Sequence, residues 1–456
     1  MYYRLIPEIF LRGWNDVPYA IYNKAQKIVI PISSLEFQAL SLCNGTTNID
    51  GISILNVHKN IIKNIDKINI IDKCDTPSPI SRGQKYKKYD CNYIKSAHWS
   101  ITGKCNYKCR HCYLSSPHAK FGELSYDSCI KIIEQLSDCG IMNLSITGGE
   151  PFVRNDFWKI IDTILAKEIN ITEIYTNGSF INNKILDQFH KRNIKPEFSI
   201  SFDGVNCHDW LRGVNGSEKV AINALKLLNE SGFTTTVEMA LHKNNCHTIE
   251  KTVELLSNLG VSGIKITPIS ESGLWKKENG KYNLTYEELY DIYLNYIPKY
   301  INAGSPVTLI LGGFFACQKG TKHYIIPAQK YTGNKNSLDL YTCLSSKMNI
   351  YISADGKLLP CIPMSGLPIQ EKMPSIINLG LKNALNSPAY TKTVQTKLCD
   401  LFSHNSKCNN CEHKLICGGG CRASSMSMGN GYLGCDDSIC TIFKGGYIEK
   451  IHNLIK

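Results

Sequence analysis

Between residues 97 and 300 the chain repeats one pattern six times: a short apolar, β-branched run, then a stretch with helical spacing. The runs are HWSITG (98–103), NLSITG (143–148), ITEIYT (171–176), EFSISF (197–202), TTTVEMAL (234–241) and GIKITPI (263–269). A strand that returns through a helix to a parallel neighbour does so by a right-handed crossover, so six such units curl into a barrel or part of one. Gly140, Gly232 and Gly260 stand where helices end in a left-handed residue before the next strand, and Thr285 with Glu288 reads as a capping box. The expected fold class is α/β, a partial (β/α)6 barrel, with its reacting groups at the carboxyl ends of the strands.

The flanks differ, and 456 residues allow two or three domains. In residues 1–75, YAIYNKAQKIVIPIS alternates like a short hairpin, and SSLEFQALSLCNGTTNIDGISIL reads as a helix, a glycine turn and another helix, giving a small α+β unit. Residues 76–95, including TPSPISRGQKYKKYDCN, are rich in Pro, Ser and Lys and read as a linker. Beyond about 310 periodicity fades and cysteines accumulate, so the fold there is expected to depend on metal. The longest apolar run, PVTLILGGFFAC (306–317), falls short of the roughly eighteen residues a membrane span requires, and MYYRLIPEIF lacks the basic and apolar regions of a secretory signal. A cytoplasmic protein without a membrane partner is expected. The formal charge is +12, but the lysines are scattered and no basic block is interleaved with aromatics, so nucleic acid is not an expected partner.

Twenty cysteines are many for an intracellular chain, which would not use them as disulfides, so metal or redox chemistry is the leading explanation. Cys105, Cys109 and Cys112 lie in CNYKCRHCY, directly after the first strand of the repeat. Structural zinc prefers four closed ligands, commonly in CxxC pairs, and His111 is squeezed between Arg110 and Cys112. A four-iron cubane takes one ligand per iron, so three thiolates leave one iron open for an exogenous molecule.

A CxxxCxxC loop at the end of the first strand of such a repeat resembles the radical S-adenosylmethionine (SAM) superfamily. The resemblance implies that the amino and carboxylate groups of SAM chelate the open iron of a [4Fe–4S] cluster, and that reductive cleavage yields a 5′-deoxyadenosyl radical that takes hydrogen from substrate. His111 occupies the place of an aromatic residue that packs on adenine. TGGEP (147–151) resembles the family's GGEP motif, with Gly148, Gly149 and Glu150 receiving the SAM ammonium group. Asn177 in YTNG is implied near the SAM pocket, Ser201 and Asp203 in SFDG at the ribose hydroxyls, and Arg212 in LRGVNGS at the SAM carboxylate. Read alone, these last three are a turn, a strand–helix loop and a surface ion pair.

The tail holds Cys343, then Gly356 before Cys361, then Cys408, Cys411, Cys417 and Cys421, and finally Cys440 in DDSIC. This series resembles the SPASM extension, which binds two auxiliary [4Fe–4S] clusters; CxxC at 408 and 411 alone would favour a zinc ribbon. The resemblance implies that Cys408, Cys411, Cys417 and Cys440 close one cluster, with Cys435 competing with Cys440. Cys343, Cys361 and Cys421 would hold the other, whose fourth iron is open or takes Cys317. An open iron there would hold a substrate thiolate, and the product would be a thioether. Sulfatase-maturating relatives place an Asp where Ile362 stands, which argues against that activity. Cys43, Cys74, Cys91, Cys129, Cys139, Cys207, Cys246 and Cys399 lack ligand spacing and read as small core or surface residues.

IPISSLEFQALSLCNGTTNIDGI resembles the small winged-helix peptide-recognition domain that accompanies peptide-modifying radical SAM enzymes, in which a leader peptide adds as a strand; KIVIPI (27–32) is the expected edge. The expected organisation is a peptide-recognition domain at 1–75, a linker at 76–95, a radical SAM core at 96–310, a SPASM domain at 311–445 and a terminal helix at 446–456. The expected activity is cysteine thioether formation in a ribosomally made precursor peptide, with a flavodoxin- or ferredoxin-type electron donor. Alternatives are carbon–carbon crosslinking, or epimerisation with Cys317 or Cys399 as hydrogen-donor thiol. From other classes come a zinc-dependent binding module and an iron–sulfur electron carrier.

Overall fold

The computed structural model describes residues 1–51, 56–270, 272–278 and 280–455. They form two compact units. The first comprises Met1–Ser96 with Ile133–Asn143 and Ala166–Asn170, and the second the remainder.

The first unit opens with β1 (Tyr2–Leu5), β2 (Ile9–Gly13), β3 (Ala20–Asn23) and β4 (Ile28–Pro31), then α1 (Ser34–Leu42), β5 (Asn44–Asn48), α2 (Asn56–Asp66), β6 (Ile71–Cys74) and β7 (Lys87–Lys88). β1 lies between β5 and β6, and a second sheet runs β4-β3-β2-β7. The expected hairpin is β3 paired antiparallel to β4. Ser33 and Glu36 close a capping box at the start of α1, whose Ala39 and Leu40 join Leu5, Ile9, Leu11 and Ile62 in one core. Two expectations change. The polar run NGTTN, expected as a turn, forms β5 because β1 supplies its ladder partner; residues 52–55 of the expected second helix lie outside the described residues. Residues 76–95 are no free linker. The buried Gln84 amide donates to the carbonyls of Leu5, Ile6 and Ile9, β7 pairs with β2, and Tyr89 stacks on Trp14 at 5.5 Å. One buried amide satisfying three carbonyls fixes the segment as firmly as apolar contacts would, and composition does not show it.

The second unit is organised by β8 (Ser96–Ser100), β9 (Asn143–Thr147), β10 (Asn170–Thr176), β11 (Glu197–Ser201), β12 (Thr235–Leu241) and β13 (Gly263–Pro268), each within two residues of its expected start. The intervening helices are α3 (Tyr126–Asp138), α4 (Phe157–Ala166), α5 (Asn183–Lys191), α6 (His208–Arg212), α7 (Ser217–Glu230) and α8 (Ile249–Asn258). The sheet continues beyond β13 through β14 (Thr308–Leu311), β15 (Phe315–Cys317) and β16 (Tyr324–Ile325). Beyond β8 it continues through β17 (Asn349–Ile352) and β18 (Leu358–Leu359). The row therefore stays open, and strands from beyond residue 307 extend both of its ends. A helix, Tyr447–Leu454, forms near the carboxyl terminus; Lys456 lies outside the described residues. Among the described residues no helix is long and apolar enough to cross a membrane.

Strand alternation separates two faces. Ile174, Phe198, Ile200, Val237, Met239, Ile264 and Ile266 are buried on one, against which α7 packs. The other carries Glu173, Tyr175, Glu197, Ser199, Thr236, Glu238 and Lys265. Register sets Glu173 opposite Glu197 and Glu238 opposite Lys265, whose Nζ lies 2.8 Å from Glu238 Oε1. Burial pushes the Glu173 carboxyl up to about 7, and the facing Glu197 adds to the rise.

Candidate active site and metal centres

The loop that follows β8 is braced before it reaches its cysteines. Thr102 Oγ1 donates to Glu123 Oε2 at 2.6 Å and accepts the Lys104 N–H at 3.0 Å, and Lys104 Nζ reaches Glu123 Oε1 at 3.0 Å. Each of the three thiols then meets an N–H donor. Cys105 Sγ receives the Tyr107 amide at 3.4 Å, Cys112 Sγ the Ser116 amide at 3.3 Å, and Cys109 Sγ the Arg212 guanidinium at 3.9 Å. Donors aimed at sulfur favour thiolate and tune an iron–sulfur cluster, so the donor set fits one. Burial pushes the Cys105 thiol up to about 12 against the Tyr107 amide, so ligation there releases a proton.

The end of β9 presses on this loop. The Gly149 amide donates to Thr102 O at 2.8 Å and the Glu150 amide to Lys104 O at 2.9 Å. A Cβ on Gly149 would lie 2.1 Å from Lys104 O and 3.0 Å from Cys105 Cβ, and one on Gly148 2.7 Å from Thr102 O, so the glycine pair is what lets the strands approach. Glu150 is fully buried and accepts the Asn177 amide at 2.8 Å, the Thr176 hydroxyl at 2.9 Å and the Phe152 amide at 3.3 Å. Burial outweighs these bonds and pushes its carboxyl up to about 7. Glu150 thus ties the end of β9 to the end of β10. Asn177 Nδ2 donates to Asn106 Oδ1 at 3.0 Å and lies 4.0 Å from Cys105 Sγ.

The loop after β11 supplies the third side. Ser201 pairs in register with Glu238. Asp203, fully buried, accepts the Arg212 Nε–H at 2.6 Å and the Ala240 amide at 3.0 Å, while its own amide donates to His208 Nδ1 at 3.0 Å. Burial opposes its charge, but Arg212 beside it holds the carboxyl well below the usual range. α6 also grips the cysteine loop: the Arg110 amide and Nε donate to the carbonyls of Leu211 (2.8 Å) and Trp210 (2.9 Å). Gly213, at φ +67, comes so near Lys108 O that a Cβ would sit 2.5 Å away. Asp209 caps α7 by accepting the Glu218 amide at 2.7 Å. Of HDWLRG, the sequence singled out Arg212 alone; no local signal marked His208, Asp209 or Trp210, nor the buried Asn245, which donates to Asp203 O and Ala240 O at 2.8 Å each. His111 sits among Arg212, Asp203, His242 and His208; burial pushes its imidazole down to about 3, and its Nδ1 has no partner among the described residues. The Nε2 atoms of His208 and His242 are likewise unpartnered, so three buried ring nitrogens gather around the Asp203–Arg212 pair.

The tail cysteines fall into two groups. Cys361 has the Cys421 and Cys343 thiols near it, and Cys343 receives the Ser346 amide at 3.4 Å. Cys408, Cys411, Cys417, Cys435 and Cys440 line a second cavity, where Cys417 receives the Gly419 amide at 3.3 Å. Asp436, buried between the groups, accepts the Cys421 amide at 2.7 Å and the Ser438 hydroxyl at 2.6 Å. Cys317 is not brought to Cys343, Cys361 and Cys421. It is buried in β15 opposite Leu309, at the amino end of β14, with Thr321 O at 3.4 Å and Ser305 Oγ at 3.7 Å. Cys399 is exposed beside Asp400. Among the described residues no three His, Cys, Asp or Glu side chains close around a single ion. A tetrahedral zinc centre would draw its thiolates to within about 4 Å of one another, whereas a cubane with one thiolate per iron spreads them.

A strand–helix repeat with a thiol triad at its carboxyl rim is the architecture of a radical SAM enzyme. The Radical SAM superfamily profile matches residues 99–256, and that of an iron–sulfur cluster-binding domain, SPASM, matches residues 343–412. The chain carries a Radical SAM domain and a SPASM domain: it is a SAM-dependent enzyme with a [4Fe–4S] cluster for SAM and auxiliary iron–sulfur clusters.

It is 25% identical over 370 residues to the antilisterial bacteriocin subtilosin biosynthesis protein AlbA of Bacillus subtilis (strain 168), covering 79% of this chain and 73% of that protein. It is also 25% identical over 360 residues to the AdoMet-dependent heme synthase of Methanosarcina barkeri, covering 74% and 93%. Among solved structures, Streptococcus suis SuiB bound to precursor peptide SuiA shares the fold with a TM-score of 0.65 at 17% identity, covering 96% of this chain and 99% of that one.

Proposed function

We propose that the protein matures a ribosomally made precursor peptide, forming cysteine thioether crosslinks. Relatives alone leave a choice, since one serves bacteriocin biosynthesis and another makes heme. The observation that carries the peptide reading is the edge strand β4. It is outermost in its sheet, and Ile28 and Ile30, on one side of it, are 41% and 44% exposed. An unpaired edge with adjacent apolar side chains is what an extended leader peptide joins: backbone bonds give affinity and side-chain pockets give selectivity. The likeness to peptide-bound SuiB extends over nearly the whole chain, the first unit included.

In this reading Cys105, Cys109 and Cys112 would hold the [4Fe–4S] cluster that binds SAM, and that centre would supply the radical chemistry. The chain's own residues position and shield. Gly148 and Gly149 admit the second strand to the cysteine loop, Glu150 and Asn177 fix the strand ends, and the Asp203–Arg212 pair anchors Cys109. His111, Ser201, Asp203 and Arg212 face the cosubstrate. Cys343, Cys361 and Cys421 hold an inner auxiliary cluster, the second cavity an outer one, and a flavodoxin- or ferredoxin-type protein supplies electrons.

The test is anaerobic co-expression with a small cysteine-containing peptide encoded beside the gene, read by mass spectrometry. Thioether formation removes two hydrogen atoms per bridge and consumes the free thiol. Loss of two hydrogens with the thiol still alkylatable identifies a carbon–carbon crosslink instead, and unchanged mass with deuterium uptake identifies epimerisation.

A further inference from the structure

The outer auxiliary cavity is lined by one thiol more than a protein-closed four-iron cluster uses: Cys408, Cys411, Cys417, Cys435 and Cys440 against four irons. The extra thiol is no bystander. Cys435 is 6% exposed, and its Sγ lies 3.4 Å from that of Cys408. Asn405 Nδ2 donates to Cys435 Sγ at 3.4 Å, the same kind of support that Cys417 receives from Gly419. Asn405 is itself held, accepting the Cys408 amide on Oδ1 at 3.0 Å and donating to Leu433 O at 3.0 Å, so one side chain orients both members of the 408–435 pair.

Cys440 reaches the same cavity from another element. It sits in the helix Asp437–Lys444, its amide bonded to Asp436 O at 3.0 Å, and its thiol lines the cavity beside that of Cys435. Cys435 precedes that helix in a turn closed by Asn430, whose Nδ2 donates to Cys435 O at 3.0 Å. Thiols spread over separate irons stand farther apart than the 408–435 pair, so Cys435 must swing away from Cys408 to ligate. A turn residue does this by rotating about its own bonds, without unwinding a helix.

We propose that Cys435 and Cys440 are interchangeable ligands of one iron in the outer auxiliary cluster. The inference rests on the radical SAM/SPASM reading and goes beyond it, because it gives this centre a replaceable fourth ligand. The exchange balances without a co-reactant. Cys435 loses its proton as its sulfur–iron bond forms, Cys440 takes a proton as its sulfur–iron bond breaks, and no electron moves.

The experiment compares the parent chain with Cys435→Ala, Cys440→Ala and the double variant, each reconstituted anaerobically and assayed for iron and acid-labile sulfide. Three four-iron clusters require about twelve irons in the parent; a parent well below this would count against the cluster reading itself and not against the exchange. Both single variants should keep the parent's iron, and the double variant, left with three thiolates in that cavity, should lose at least about one iron per chain, the one without a protein ligand, while still cleaving SAM, which shows that the fold and first cluster survive. Either single variant losing that iron by itself, or the double variant keeping it, would overturn the proposal. A double Ser variant, which preserves side-chain volume, repeats the measurement if the Ala pair does not fold; it should show the same loss.

Discussion

Arg212 Nε donates to Asp203 Oδ2 at 2.6 Å, and the same guanidinium reaches Cys109 Sγ through Nη1 at 3.9 Å. Both side chains are buried, and each keeps the other ionised against burial. Removing one partner strands the other charge, which typically costs about 3–5 kcal/mol. Asp203→Asn should therefore lower the thermal midpoint clearly and, by releasing the anchor on Cys109, reduce deoxyadenosine formation at least ~10-fold, a change worth about 1.4 kcal/mol. Parental values in both measurements would contradict the anchoring role.

Gly149 is a steric requirement. Gly149→Ala places a methyl against Lys104 O and Cys105 Cβ, and both neighbours are held by backbone. Retention of the first cluster, read by its electron paramagnetic resonance signal, should fall sharply. Gly280→Ala, with no atom within 4 Å of its Cβ, should behave as the parent.

The thiol triad after β8 and the Cys408 group should fail differently. Cys112→Ala should abolish deoxyadenosine production, because in the proposed assignment it removes a ligand from the cluster that takes SAM. Cys408→Ala should retain part of it while peptide modification is lost. Equal, full activity of the two variants would refute the assignment.

Glu173 gives a pH signature. Its folded-state carboxyl is raised to about 7 from the usual 4.5, so between those values the folded protein holds more proton than the unfolded chain. Stability from this group is present below pH 4.5 and is lost as pH rises through 7. Glu173→Gln should leave the thermal midpoint unchanged at pH 4.5 and raise stability at pH 8 by up to roughly 3 kcal/mol. Melting curves at the two pH values decide it, and an equal effect at both would exclude the raised carboxyl.

The proposed leader edge at β4 offers a test that separates binding from chemistry. Ile30→Asp puts a charge where a leader side chain would bury about 1.5–3 kcal/mol of apolar contact. The dissociation constant for the leader peptide should rise at least ~10-fold, with peptide-independent SAM cleavage unchanged. Unchanged leader affinity would place recognition elsewhere.

Sequence legibility followed the range of the interactions. The six strands were readable because alternation and helix-ending glycines are local, and TGGEP and the cysteine loop because ligation and close approach demand fixed spacing. Gln84 was not readable: nothing in SRGQKY announces an amide that satisfies three carbonyls some 75 residues away. The position of Cys317 was equally hidden, since its spacing suits ligation while its strand delivers it to Ser305 and Thr321 at the wrong end of β14.

What the sequence by itself determined is the chemistry: which thiols exist, how they are spaced, and that a parallel repeat carries the first three at its rim. What only the tertiary structure decided is how those thiols are supported and grouped. Arg212 meets Cys109 across 103 residues, Asp436 bonds the Cys421 amide while lining the cavity of the other tail thiols, and Cys435 joins Cys408 across 27. Ligand spacing is encoded along the chain, but a hydrogen bond to sulfur or a shared cavity depends on distances between segments, which exist only once the strands have taken their order.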